Sequence, residues 1–376
     1  GLLPVAERGG LGERGFRDLH CHCSMGSDGF DKARHYRCGE SQLMKCPPLQ
    51  QGLSLIEVMI SMAIGSVVIL GVLSLFTANT ETYNALQAQT RLQEGANFGL
   101  NVIARDLQRA GYRGCYSRGD VYVTAATVPA AFDIRFGLSV HNGGGNDDGN
   151  AAWTTSSTGA SPAVSAVAGT DIITLRFAEN DEAYLSTALV TGQENIQLAV
   201  VSGASTNIEV NDLALISDCE KATLFKATSV AVNGVAMTLG HAVSAANGNI
   251  VDGLAETGTF GTDAAVASIV SKTYFIKQGA SGIAGKGGYS LQQFDGAAST
   301  ELVEGVEDLQ ILLGIDTDSD GVPNQYLAPS ASVITSQIAT VLLEITVNSI
   351  SDADSAEEDR LLRRSFRQTI QIRNPG

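Results

Sequence analysis

One long apolar run stands out in the pattern of hydrophobic and polar positions. It extends from Leu53 to Phe76 and contains a single ionisable side chain, Glu57. A helix of that length rises about 36 Å, which is enough to cross the hydrocarbon core of a bilayer. A cleavable signal peptide has a shorter apolar region of about 7–15 residues, and a buried soluble helix is seldom so uniformly apolar. The pattern therefore predicts a retained membrane-spanning helix at 53–76.

The pattern becomes amphipathic after Phe76. Proline is absent from 53–110, and apolar residues recur every three or four positions, which is the spacing of one helical face. These residues are Leu92, Ala96, Leu100, Ile103, Leu107 and Ala110. Gly111 follows where a C-terminal cap is expected. We therefore predict that the helix continues through 77–110 with one buried face. A coiled coil is the alternative, but the stripe spans fewer than three heptads.

Beyond Cys115 the chain changes to short β-type runs separated by Gly, Asn, Ser and Asp. The candidate strands are Ile172–Phe177, Ile196–Val201, Asp212–Ser217, Thr223–Val230, Ala236–Leu239, Ala267–Phe275, Val306–Ile315, Ser336–Ile350 and Ser365–Arg373. The segment 111–376 is therefore predicted to be a mostly antiparallel β head that packs on the second half of the helix, which gives an α+β fold.

Composition narrows the functional classes. The 376 residues include 24 Lys+Arg and 40 Asp+Glu, a formal net charge of −16. Binding to nucleic acid needs a basic face, which an acidic body does not offer. The sequence has no G-x-S-x-G elbow, no complete P-loop and no H-E-x-x-H pair, and the acidic run Asp352–Asp359 is interpreted as a solvated loop. We therefore expect neither an enzyme nor a nucleic-acid partner.

Residues 1–52 show no sustained helical or strand period and are expected to be a leader or an over-extended pre-sequence. Met44 would be a better start, because 44–52 is a short polar leader with one positive charge, Lys45. The segment also contains a cluster of metal-ligand types: His20, Cys21, His22, Cys23, Cys38 and Cys46. A zinc site is the alternative interpretation, but this spacing does not match the usual zinc fingers.

Glu57 is the chemically unusual residue of the apolar run. A carboxylate in lipid is costly unless it is neutral or paired, so it indicates a function. The run contains no basic residue, and the partner must be a chain terminus, another subunit or water. If the chain is cut after Gly52, the new amine of Leu53 lies about one helical turn from Glu57. That amine, in cis or from a neighbouring subunit, would be a natural counter-ion.

The segment Gln51-Gly52-Leu53-Ser54-Leu55-Ile56-Glu57 resembles the class III signal of type IV prepilins. The resemblance implies that a prepilin peptidase cuts after Gly52 and methylates the new amine of Leu53. Glu57 would then be the fifth mature residue. Leu53 stands where the family usually has Phe, which is a mild departure.

Two further stretches resemble the PilW group of minor pilins. They are Gln93–Cys115, which ends in Tyr-Arg-Gly-Cys, and Ser217–Cys219; weaker likeness extends to Gly305–Glu307 and Gly314–Asp318. The resemblance implies a low-abundance subunit of the type IV pilus that helps to prime assembly at or near the tip. Before joining the fimbrium it would be a single-pass inner-membrane protein with a periplasmic head. Its partners would be the prepilin peptidase, other minor and major pilins, membrane lipid and, as a further candidate, a tip adhesin.

Two other functions stay open. A minor pseudopilin of type II secretion shares the logic of the anchor and stalk, although such heads are usually shorter. A membrane-tethered binding or adhesive head is the alternative from another class.

Cys115 and Cys219 are the only cysteines beyond residue 52. A head exported to an oxidising compartment would pair them. Two free buried thiols are the alternative. The bridge would tie the end of the helix to the sheet.

The acidic loop Asp316–Gly321 has carboxylates at alternating positions followed by glycine, which is how an EF-hand calcium loop begins. The twelfth position is Leu327 instead of the bidentate Glu, and a solvated acidic turn is the alternative. The candidate Ca²⁺ ligands are Asp316, Asp318, Asp320, Val322 and Asn324. No cofactor is otherwise expected.

Overall fold

The computed structural model describes residues 54–116, 119–143, 164–179, 183–191, 195–199, 207–244, 248–251, 253–254, 259–279, 288–330, 335–350 and 361–374. The chain divides into two compact units, Gly1–Ser74 and Leu75–Gly376. The described residues form one long helix and sixteen strands, nearly all paired antiparallel, so the predicted α+β fold is confirmed.

Helix α1 extends from Leu55 to Arg109. Its C-terminal end depends on Gly111, which has φ +73° and donates its N–H to the carbonyl oxygen of Arg176 at 2.9 Å. A Cβ atom at Gly111 would lie 2.5 Å from the carbonyl oxygen of Asn374. Glycine is therefore required here both for the left-handed backbone and for the space.

The strands all lie in the second unit. They are β1 (Tyr122–Val123), β2 (Leu138–His141), β3 (Ile172–Ala178), β4 (Ala183–Tyr184), β5 (Ile196–Ala199), β6 (Leu213–Ser217), β7 (Ala222–Lys226), β8 (Ser229–Asn233), β9 (Ala236–Gly240), β10 (Ala265–Gln278), β11 (Tyr289–Phe294), β12 (Ser299–Glu304), β13 (Val306–Ile315), β14 (Gln325–Leu327), β15 (Ile338–Asn348) and β16 (Arg363–Gln371). Short 3₁₀ turns occupy Ala130–Phe132 and Thr335–Gln337.

Within the described residues the strands form three sheets. The largest has nine strands along the path β1-β7-β6-β10-β11-β12, with β3 and β4 also paired to β10 and β2 paired to β3. A second sheet has the order β14-β13-β15-β16, and a third the order β5-β9-β8. Strand β10 joins two halves of the large sheet, because its first residues pair with β6 and its last with β11.

The main apolar core lies between the second half of α1 and the two larger sheets. The buried stripe of the helix packs with residues of β3, β10, β11, β13 and β15. A separate core joins the three-stranded sheet to β6, β7 and β10. The predicted packing of a β head on the amphipathic half of the helix is confirmed.

One strand prediction is wrong, and several strands were not predicted. The single strand Thr223–Val230 is wrong, because the chain leaves the large sheet after β7 and enters the three-stranded sheet as β8. Ala227 and Thr228 make the crossing, and their N–H groups donate to the carbonyl oxygens of Asp212 and Gly240.

The hairpin β11–β12 was missed because polar residues in it are buried, so hydrophobic alternation does not mark it. Strands β1, β2, β4 and β14 were also missed; they have two to four residues, too few to show a period.

Candidate functional sites along helix α1

The predicted cleavage site, Gly52 and Leu53, lies outside the described residues, and cleavage there stays a prediction. Glu57 lies in the first turn of α1, where it is exposed. Its N–H donates to the carbonyl oxygen of Ser54 at 3.0 Å, and its own carbonyl oxygen accepts from the Ser61 hydroxyl at 2.7 Å. No described residue of this chain pairs with the Glu57 carboxylate. The side chain is therefore available to a partner from outside the described residues.

The helix that carries Glu57 has an apolar surface in every direction around its axis. Its exposed residues in the first unit include Leu55, Ile56, Met59, Ile60, Met62, Ile64, Val67, Val68, Ile69, Leu70, Val72 and Leu73. By length and composition, α1 is the one helix in the described ranges that could cross a membrane, and none of its most apolar window is buried. The core helix of a soluble protein would bury such a surface, so this finding favours a helix that lipid or other helices cover.

In the second unit, α1 lies close to the sheet because two glycines face it. A Cβ atom on Gly95 would lie 3.1 Å from a methyl group of Val303, and one on Gly99 would lie 3.1 Å from a methyl group of Leu291. Strands β11 and β12 therefore pack against a helix surface without side chains at these two positions.

Asp106 is a buried carboxylate on the face of α1 that contacts β10. It is 2 % exposed and accepts hydrogen bonds from the Lys272 ammonium at 2.8 Å and from the Tyr274 hydroxyl. Burial, followed by the negative charge of Asp106, raises the pKa of Tyr274, which stays a hydrogen-bond donor. Nearby, the Arg109 guanidinium lies 4.3 Å from the centre of the Phe177 ring. These contacts fix the rotation of the helix against the sheet.

The segment Tyr112–Cys115 connects the end of α1 to the head. The carbonyl oxygen of Tyr112 accepts the N–H of Ala178 at 2.8 Å. Arg113 is buried, and desolvation lowers its pKa. Its guanidinium donates at 3.0–3.1 Å to three backbone carbonyl groups, those of Gly119, Ile134 and Arg135. The arginine therefore holds the following loop in place by its fork of donors.

Cys115 forms a disulfide with Cys219, as the sequence predicts. The two Cα atoms are 4.7 Å apart, although 104 positions separate the residues in sequence. Cys219 lies in the turn between β6 and β7, and Asp218 closes that turn by accepting the N–H groups of Glu220 and Lys221, each at 2.8 Å. The bridge thus ties the segment after α1 to the large sheet. Both cysteines are exposed.

The loop between β13 and β14 brings the carboxylates of Asp316, Asp318 and Asp320 within 4.8 Å of one another. The Asp316 carboxylate already accepts the N–H groups of Asp318, Ser319 and Gly321. These bonds, that of Gly321 foremost, hold the pKa of Asp316 below its ordinary value. The Asn324 side chain bonds to Thr317 and Asp318, and the Val322 N–H donates to Asp320. The loop closes on itself through these bonds, and Ca²⁺ binding stays a prediction.

Two family models match the chain. The one described as prokaryotic N-terminal methylation motif matches residues 48–73, which include Gly52, Leu53 and Glu57. The one described as type IV pilus-assembly protein W matches residues 273–361, from the second half of β10 to the residue before Leu362. Comparison with curated proteins and comparison with solved structures each found no match.

A methylation motif at the start of a long exposed apolar helix, followed by a β head, defines a type IV pilin. The match in the head adds a group: residues 273–361 are similar to the PilW family of pilus-assembly proteins, which supports a minor pilin of the type IV pilus. Proteins of this family are generally structural subunits. The matched head region includes Gly305–Glu307 and Gly314–Asp318, but it does not reach Gln93–Cys115 or Ser217–Cys219.

Sequence reasoning missed Lys272 and Tyr274, the partners of Asp106. They lie 166 and 168 positions away, so no local pattern links them to the helix. The one available signal is their spacing of two residues on a predicted strand, which places both side chains on the same face of the sheet.

Proposed function

We propose that this minor pilin is cut after Gly52, methylated on Leu53 and incorporated into a type IV pilus at or near its tip, where it helps to prime assembly. The observation that supports this most strongly is the exposed apolar surface of α1, with Glu57 in its first turn and within the residues that the methylation motif matches. Such a surface needs lipid before assembly and neighbouring helices afterwards.

The inner membrane holds the subunit before assembly, as a single-pass protein with its head in the periplasm. The methylation motif and the apolar helix suit this placement. Prepilin peptidase, other minor and major pilins and lipid are the proposed partners, with a tip adhesin as a further candidate. The subunit acts structurally, without catalysis and without a required cofactor.

Glu57 has a separate proposed role in register. Its carboxylate has no described partner in the chain, and lipid makes an unpaired charge costly. The methylated amine of Leu53, in cis or from a neighbouring subunit, pairs with it as the helices pack. The match to the pilus-assembly family favours this role in a pilus over one in a type II secretion pseudopilus.

Cleavage is tested by mass spectrometry of the N-terminus of membrane-extracted protein. Wild-type protein should begin at an N-methylated Leu53, and Gly52→Ala should accumulate with its leader. Gly71→Ala is the matched control, because a Cβ there meets nothing within 4 Å, and it should be processed normally. A wild-type mature protein with another first residue would contradict the proposal.

The pairing role is tested by measuring the amount of subunit in sheared pili. Glu57→Ala should insert into the membrane but reach pili at least about tenfold less. In the variant the methylated amine of Leu53, buried among packed helices, loses its counter-ion. Glu81→Ala changes an exposed acid of the same helix and should assemble as wild type. Normal incorporation of Glu57→Ala would refute the role of the carboxylate in register.

A further inference from the structure

The head contains an open cleft of about 410 Å³ that the assembly role does not use. It lies between the 3₁₀ turn at Ala130–Phe132, the turn before β6, and the strands β7 and β10. Its apolar wall includes Phe132, Leu213 and Ile269. The volume is at the lower end of the range of about 300–1,000 Å³ that is typical of small-molecule sites.

Three polar side chains at this cleft, those of Lys226, Asp212 and Asn211, have polar atoms without a partner among the described residues. The Lys226 ammonium makes no ion pair or hydrogen bond with a described residue. Asp212 uses one carboxylate oxygen to accept the N–H of Glu209 at 2.8 Å, and its other oxygen is unpartnered among the described residues. The side-chain amide of Asn211 also has no partner among the described residues. The cleft thus offers an ammonium, a carboxylate oxygen and an amide to a ligand.

The backbone holds these groups in place. Both backbone polar groups of Lys226 bond to the Asn249 side chain, each at 2.9 Å. Asn211 has φ +80°, and its N–H donates to the carbonyl oxygen of Ala227 at 2.7 Å. Glycine would adopt this left-handed conformation without cost. Asparagine also tolerates this conformation in turns, so the backbone angle positions Asn211 and does not by itself indicate a ligand.

We propose that this cleft binds a neutral sugar unit of a glycan. The ring would place its C–H face on Phe132, Leu213 and Ile269, and its hydroxyls would bond to Asn211, Asp212 and Lys226. A hydroxyl both donates and accepts, so it suits an amide, a carboxylate and an ammonium together. A ligand with net charge meets one rim group of its own sign, Asp212 or Lys226, which favours a neutral one. The proposal does not depend on the role in assembly.

The test uses the full chain in lauryldimethylamine oxide, a detergent without a sugar headgroup. Saturation-transfer NMR is recorded with the methyl glycosides of glucose, galactose, mannose and N-acetylglucosamine. At least one should receive saturation at its ring protons. Asn211→Gly removes the amide and relieves the backbone, and Lys226→Met keeps the stem without the charge. Each should weaken binding about fivefold or more.

Lys277→Met is the matched control, because this lysine is exposed near the other end of β10 and makes no described ion pair. It should bind the sugar as wild type does. Thermal melting confirms that Asn211→Gly and Lys226→Met are folded. The proposal is overturned if no glycoside is saturated, or if the double variant Asn211→Gly/Lys226→Met binds as tightly as wild type. Saturation of an acetylated, amidated dipeptide in place of every glycoside would also overturn it.

Discussion

At the scale of single residues, Asp106 is central to the contact between helix α1 and the head. It accepts hydrogen bonds from Lys272 and Tyr274, and all three lie at the interface with β10. A buried charged contact of this kind adds little over a well-packed apolar substitute, but the removal of the Asp106 carboxylate leaves both donors without their acceptor. The Lys272 side chain is 26 % exposed, so water offsets part of that loss.

Asp106→Ala should lower the free energy of unfolding by about 2–4 kcal/mol, because the Tyr274 hydroxyl and the Lys272 ammonium lose their shared acceptor. Tyr274→Phe should cost about 1–2 kcal/mol. Urea denaturation of the full chain in detergent measures both. Glu94→Ala changes an exposed acid of the same helix and should shift stability by less than about 0.5 kcal/mol. If Asp106→Ala matched this control, the buried contact would contribute nothing.

Two buried titratable residues at the β2–β3 pair have opposite pKa shifts. Burial raises the pKa of Asp171 to about 6, although the N–H groups of Gly143 and Ile311 oppose this. Burial, with the charge of Arg176, lowers the pKa of His141 to about 4. The contribution of Asp171 is present below about pH 4 and lost as pH rises through 6. That of His141 is present above about pH 6.5 and lost as pH falls through 4.

The two contributions should offset each other in the wild type between pH 4 and 6.5 and become visible in variants. His141→Phe should lose stability as pH rises from 4 to 6, on the order of 1–3 kcal/mol. Asp171→Asn should gain a similar amount as pH rises from 4 to 6.5. Urea denaturation at several pH values measures how the free energy of unfolding of each variant changes with pH. A loss of stability that is the same at every pH does not alter this slope. Parallel pH curves for both variants would disprove the assignment.

At the scale of elements, the position where α1 ends sets the path of everything that follows. Gly111, with φ +73°, lets the chain turn close to the backbone of Asn374. The residues that follow include Arg113, which makes the backbone hydrogen bonds, and Cys115, which forms the disulfide. A side chain at this glycine meets two obstacles, the left-handed backbone and the carbonyl oxygen of Asn374. Gly234, in the turn between β8 and β9, meets only the first of them.

Gly111→Ala should destabilise the head by more than about 2 kcal/mol, because the new methyl group adds a clash at 2.5 Å to the backbone strain. Gly234→Ala is the matched control: its φ is +63° and nothing lies within 4 Å of its Cβ, so it should cost about 1 kcal/mol. The difference between the two, measured by urea denaturation, isolates the clash. Equal losses would mean that the contact with Asn374 yields easily.

At the scale of the whole molecule, the parts that the sequence predicts are those with a local period. The helix was predicted at 53–110 and is observed at Leu55–Arg109, and β13 has its predicted bounds, because apolar spacing marks both. The order of strands in the sheets depends on pairings between distant residues, which no local pattern records. The same reason hides the contacts of Asp106 and the cleft beside Lys226. The pairing of Cys115 with Cys219 could be predicted because no other cysteine lies beyond residue 52.

The disulfide also connects the processing of the chain to the stability of its head. Cleavage after Gly52 would remove Cys21, Cys23, Cys38 and Cys46. Iodoacetamide should therefore alkylate no thiol of the mature protein before reduction and two thiols after reduction. Both bridged cysteines are exposed, so serine at either position is hydrated and the loss of the link dominates. Cys115→Ser/Cys219→Ser should therefore lower the free energy of unfolding by about 2–5 kcal/mol. Reducing agent should lower the stability of wild-type protein to the level of the variant and leave the variant unchanged. A labelled thiol in the unreduced mature protein would show that the bridge does not form in the cell.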